Sequence, residues 1–202
     1  MSQYGRKTSR KQHSTLLMIV LIVLAFCMVS LLWKGTSWYR NFSGSNHSYD
    51  TLILDAARRN QVDPRLVKAV IWRESRFNSR AVGKAGEVGL MQIMQDRAAT
   101  DWAKAHGRPV PSRGALFNPA LNIEIGSWYL SRAVKRWSGY RDCYQLALCE
   151  YNAGLTRANK WKPADPNGDV RSRISISSTL SYVNTVLDRY EKYKRDWDTG
   201  KR

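Results

Sequence analysis

One glutamate, placed where an apolar residue belongs, constrains this chain more than any other feature. Asp63-Pro64 opens a helix, with aspartate as N-cap and proline at the first helical position. Val67, Val70, Ile71 and Glu74 follow at i, i+3, i+4 and i+7, so Glu74 shares the helix's apolar stripe. An ionised carboxylate is a poor core residue, because burying it costs several kcal/mol unless it is paired or neutralised. It is a good general acid for the same reason, since burial lifts its pKa towards the working range. After it come a glycine-bearing loop with Gly83 and Gly86 and a compact Gly89-Leu90-Met91-Gln92-Ile93 segment.

Leu16 to Trp33 is a run of 18 residues without a charge. As a helix rising ~1.5 Å per residue it nearly spans the hydrocarbon core of a bilayer. Arg6, Lys7, Arg10 and Lys11 precede it, and only Lys34 and Arg40 follow it up to residue 42. The heavier basic flank stays in the cytoplasm, so the remainder is expected outside an inner (cytoplasmic) membrane, in the periplasm. A cleaved signal peptide is the competing reading, but it calls for a shorter apolar region and a small-residue exit. The expected organisation is a basic cytoplasmic segment 1–15, a transmembrane anchor 16–33, a linker 34–47, a catalytic domain 48–195 and a basic tail 196–202.

The net charge is +17, and residues 1–42 carry six basic and no acidic groups, leaving +11 for the remainder. That balance favours polyanionic partners, anionic lipid or cell-wall polymers among them. The basic residues are dispersed and no DNA-binding motif accompanies them, so no nucleic-acid partner is expected. Cys143 and Cys149 lie six apart, ~9 Å along the axis if both are on one helix, which is beyond disulfide reach. Their spacing matches no metal site.

The fold class expected is mostly α, with a small irregular or β-containing lobe beside the Glu74 helix. A first helix is predicted over 49–59, N-capped by Ser48, with Leu52, Ile53, Ala56 and Ala57 inward. Further helices are predicted over 96–106, from Asn118-Pro119 to about Trp137, and from Asp142 to Gly154. Residues 155–176 read as a long loop. Leu180, Val183, Val186, Leu187 and Tyr190 then make one face of a final helix.

Several stretches align with one family. Glu74-Ser75, Gly89-Leu90-Met91-Gln92-Ile93 and Ala147-x-x-x-Tyr151-Asn152-Ala153-Gly154 resemble the signature of the soluble lytic transglycosylase (SLT) domain. Asn118-Pro119-x-x-Asn122-Ile123-x-x-Gly126-x-x-Tyr129-Leu130 is similar to its central helix, and Thr179-x-x-Tyr182-Val183-x-x-Val186 to its last one. The resemblance covers about residues 48–190. It implies a lysozyme-like fold that cleaves the β-1,4 bond between N-acetylmuramic acid and N-acetylglucosamine in peptidoglycan glycan strands. It also implies 1,6-anhydromuramic products, no cofactor and no metal, with Glu74 as the single acid/base.

The residues support that chemistry independently. Ordinary glycosidases use two carboxylates, whereas this helix offers one on its apolar face. A protonated Glu74 can donate to the leaving oxygen and then, as carboxylate, take the proton of the sugar's own 6-hydroxyl. The substrate's N-acetyl group can stabilise the oxocarbenium-like centre between these steps.

The other substrate-contact candidates are Ser75, Met91, Gln92, Tyr151, Asn152 and Tyr182. Each has a plainer reading beside the functional one. Met91 and Gln92 can form a packed turn beside the site, and Tyr151 can be a core tyrosine. Asn152 and Gly154 can simply end a helix, and Ser75 can hold the loop through a local backbone bond. Two positions depart from the family pattern: Gly83 and Ser178 stand where a serine and a glutamate are common. Glu87, in the same loop, would permit hydrolysis if it faced Glu74, and its plainer reading is an exposed loop glutamate. Two other functions compete, a muramidase related to goose-type lysozyme and a non-catalytic basic wall-binding module.

Overall fold

The computed structural model describes residues 49–198 and, apart from these, Met18. The apolar run 16–33 (Met18 aside), the linker 34–47, Ser48 and the last four residues lie outside that range. Among the described residues no helix is long and apolar enough to cross a membrane.

Helix α1 (Asp50–Asn60) starts at Tyr49, with no side-chain cap bond, and ends on Gln61 in the left-handed region (φ 57°). Its buried face is Ile53, Leu54, Ala56 and Ala57, so Leu54 takes the inward position expected of Leu52, which is half-buried. Helix α2 (Pro64–Ser75) begins as its sequence dictates. The Asp63 carboxylate accepts from the Arg65 amide at 2.8 Å and Pro64 opens the first turn. Leu66, Val67, Val70 and Ile71 are fully buried.

Helix α4 (Pro119–Arg136) is the centre of the domain, N-capped by Asn118. Counting from α2, it is preceded by a short α3 (Thr100–Ala105) and followed by α5 (Cys143–Ala153), α6 (Leu155–Trp161) and α7 (Ser177–Asp198). Helix α4 packs on α1 and α5, while α7 packs on α2 and α5. The inward face of α7 is Thr179, Tyr182, Val183, Val186 and Tyr190, with Leu180 and Leu187 at its half-buried flanks. The Tyr190 hydroxyl donates to Asp63 at 2.9 Å, tying α7 to the start of α2. Cys143 and Cys149 are both free on α5.

Three expectations are corrected. The segment after Met94 is not one α-helix but a π-helical turn, Gln95–Ala99, leading into α3. The Thr100 hydroxyl donates to the Gln95 carbonyl at 2.7 Å across this wider turn. Residues 155–176 are not all loop, for α6 follows α5 directly. Gly154, at φ 85° and ψ 158°, redirects the chain in one residue, and Ala158 and Trp161 bury the new helix.

The β-containing lobe shrinks to two single-residue antiparallel bridges, Val82 with Val88 and Val88 with Ile93. Gly86 and Gly89, at φ 95° and 79°, reverse the chain too often for a second pair to form.

Candidate active site

The site is made at the end of α2. Arg76 (φ 53°) and Phe77 (φ 63°) are both left-handed, a sparsely populated conformation for large side chains. Together they turn the chain back immediately after Glu74. Ser75 is buried and donates its hydroxyl to the Ile71 carbonyl at 3.1 Å, within the helix.

The returning loop is pinned from below by α4. Asn122 is fully buried. Its amide donates to the carbonyls of Val88 (2.9 Å) and Leu116 (2.8 Å), and its oxygen accepts from the Met91 amide at 2.8 Å. One turn on, Gly126 leaves room for the Met91 side chain, since a Cβ there would clash with its sulfur. The Tyr151 hydroxyl donates to the Met91 carbonyl at 2.9 Å. Gln92, itself left-handed at φ 49°, donates to the carbonyls of Gly89 (2.9 Å) and Ala81 (3.3 Å).

Above this floor lies a cleft of about 290 Å³ whose lining includes Glu74, Glu87, Gln92, Tyr129, Tyr151 and Asn152. Glu74, Gln92, Tyr151 and Asn152 are thus brought together in one cleft. Ser75, Met91 and Tyr182 are not among the lining residues, and Met91 and Tyr182 are at most 1% exposed. Their side chains support the wall from behind.

Tyr182 has a distinct position. Its hydroxyl donates to Glu74 Oε1 at 2.7 Å, with the Arg73 guanidinium over its ring at 5.2 Å. Burial pushes the Glu74 carboxyl up to about 7. The Tyr182 hydrogen bond and the Arg73 charge pull the other way, and the Glu87 charge adds to the rise. A carboxyl poised at that value is present as acid and as base at neutral pH, so it can give or take a proton there.

Residues with no assigned role in the sequence reading complete the site. Asn122 and Gly126 lie four apart on one face of α4, a buried amide and a small residue where large apolar ones are usual. Apart from their place in the Asn118–Leu130 motif, that was their only local signal. Tyr129 meets Tyr151 edge-on at 5.8 Å. Glu150 also borders the cleft, but its carboxylate accepts from the Trp137 indole (2.7 Å) and Arg136 (3.3 Å) and so links α4 to α5.

The fold and site define a helical domain with a glycosidase-like cleft and one carboxyl of raised pKa at its base. A family model described as "Transglycosylase SLT domain" matches residues 51–174, and the chain belongs to that family. It is 41% identical over 86 residues to a membrane-bound lytic murein transglycosylase C from Salmonella arizonae, a match covering 42% of this chain and 24% of that protein.

Among solved structures, an inactive mutant of lytic transglycosylase Slt from Pseudomonas aeruginosa, a glutamate-to-glutamine change, superposes with a TM-score of 0.66 at 26% identity. The match covers 73% of this chain and 24% of that one. The 70-kDa soluble lytic transglycosylase from Escherichia coli gives 0.63 at 28% identity, covering 74% and 24%. The chain therefore spans about a quarter of the length of these relatives.

Proposed function

We propose that this chain is a peptidoglycan lytic transglycosylase that uses Glu74 as its only acid/base. The observation carrying this reading is the Glu74 carboxyl itself, lifted to about 7 at the base of the cleft and held by Tyr182. Protonated Glu74 donates to the glycosidic oxygen as the C1–O bond breaks. The N-acetyl group of the muramic sugar stabilises C1 from the opposite face. Glu74, now a carboxylate, takes the proton of the 6-hydroxyl as that oxygen closes on C1. The products are a free 4-hydroxyl and a 1,6-anhydro end, and Glu74 regains its proton.

Gln92, Tyr151 and Asn152 contact the glycan in this reading, while Ser75, Met91 and Tyr182 position the loop and the acid. The inactivity of a glutamate-to-glutamine mutant of the Pseudomonas relative supports a carboxyl-dependent reaction. The uncharged run 16–33 with its basic N-terminal flank supports a single-pass anchor and an outward-facing domain. The relative's description as membrane-bound agrees with that.

Glu74→Gln tests the assignment. It keeps shape and a donor but cannot cycle a proton, so turnover of purified sacculi is expected to fall ~10²–10⁴-fold while circular dichroism is unchanged. Near-normal turnover would remove Glu74 from the chemistry. Mass spectrometry of the products separates lyase from muramidase. An anhydro end is ~18 Da lighter, because the 6-hydroxyl replaces water as nucleophile.

A further inference from the structure

Glu87 on the cleft wall and Gly83 beneath its side chain form a small device that the reaction above does not use. The turn between them is closed by the Gly83 amide donating to the Glu87 carbonyl at 2.8 Å. The Glu87 side chain folds back over this turn, and its Oε2 accepts from the Ala85 amide at 2.9 Å. A Cβ on residue 83 would clash with that oxygen and stand 2.8 Å from both Glu87 Cδ and Gln92 Oε1. The space above the Gly83 α-carbon is thus filled by two acceptor oxygens from different residues.

Gln92 cannot turn its amide to relieve this, because its nitrogen is engaged by the Gly89 and Ala81 carbonyls. Both residues line the same cleft as Glu74. Glu87 is half-buried rather than a freely exposed loop carboxylate, and an ionised carboxylate only accepts. Among the described residues the Ala85 amide is the one donor that either oxygen meets, and two acceptors converging at a cleft wall match a ligand that brings another.

We propose that Glu87 is a substrate-contacting specificity residue, accepting a hydrogen bond from a hydroxyl or acetamido N–H of the sugar bound beside Glu74, and that Gly83 is the residue that makes room for it. This rests on the glycan-cleaving reading of the cleft. It also explains a glycine at this point in the loop without invoking backbone conformation, since Gly83 is not among the left-handed glycines. The atoms a Cβ would meet are the ends of flexible side chains. Gly83→Ala therefore displaces first the Glu87 carboxylate, the freer of the two side chains, since Gln92 is tied through its nitrogen.

The test is a double-mutant cycle on the full chain with solubilised glycan strands as substrate. A hydrogen bond to a charged acceptor is worth about tenfold or more in affinity. Glu87→Ala is expected to raise KM about tenfold with kcat changed much less. Gly83→Ala should give the same phenotype. The pair should be no worse than Glu87→Ala alone, because both substitutions remove one contact. Glu87→Gln, which keeps an acceptor, should recover part of the affinity.

An unchanged KM in Glu87→Ala, or effects of the two substitutions that add, overturns the proposal. So does a loss of kcat matching that of Glu74→Gln together with reducing-end products, which would make Glu87 a second catalytic carboxylate. Wild-type chain that turns over no glycan at all refutes the underlying reading instead, so the two failures are distinguishable.

Discussion

Burial sets the acidity of Glu74, and the Tyr182 hydroxyl, whose donation favours the carboxylate, moderates it. Tyr182→Phe removes that moderation. The carboxyl pKa is then expected to rise further, carrying the alkaline limb of the kcat/KM profile to higher pH. The looser carboxylate is expected to lower the maximum rate by about tenfold, the worth of one charge-assisted bond. An unmoved alkaline limb would show that Tyr182 only packs.

Stability follows the same shift. Between 4.5 and about 7 the folded chain holds a proton on Glu74 that the unfolded chain releases. The contribution of Glu74 is therefore complete below the lower value and lost as pH rises through the upper one. Glu74→Gln should flatten this dependence, raising Tm more near about pH 8 than near about pH 5. Sequence alone exposes the carboxylate on the apolar stripe. Its partner Tyr182, 108 residues away, comes from another helix, and no local pattern announces that distance.

At the scale of elements, the loop carrying Gly89 to Ile93 owes its shape to α4. Asn122→Ala leaves two carbonyls and one amide without their partner in a dry interior. The expected cost is about 3 kcal/mol in urea unfolding, with activity lost as the loop loosens. Gly126→Ala is expected to cost about 1–3 kcal/mol by overpacking against Met91. Wild-type stability in both would mean that the loop is held from elsewhere.

Helix starts were legible where the signal is local. Asp63-Pro64 and Asn118-Pro119 each cap and open a helix within two residues. The π-helical turn at Gln95–Ala99 and the short α6 were not. One depends on a wider turn in an otherwise ordinary helical sequence, the other on two buried residues and a glycine that reads equally well as a terminator.

For the whole molecule, the charge of the part beyond residue 42 and its separation from the apolar run make a joint expectation. A fragment beginning near Ser45 keeps every described element of the domain and should fold and act on isolated peptidoglycan. Its binding should weaken as salt is raised, because +11 of net charge acts through screened interactions. In the full-length chain, protease added to spheroplasts should reach residues beyond 43. Full protection would reverse the orientation, and salt-independent binding would assign the charge another purpose.

Sequence by itself determined the periodic and local features. These are the uncharged run, the capped helices, the carboxylate on an apolar stripe, and the ordered motifs that place the chain in its family. Each of these is written in a contiguous stretch of chain, so near neighbours suffice to read it. Tertiary structure alone decided which motif residues face the cleft and which stand behind it. Met91 stands behind the wall because Asn122 and Gly126 of α4 hold it there, Tyr182 because α7 brings it against Glu74 of α2, and Ser75 because its hydroxyl turns back into its own helix. Glu87 moved into the cleft because Gly83, four residues earlier, leaves the space its carboxylate fills.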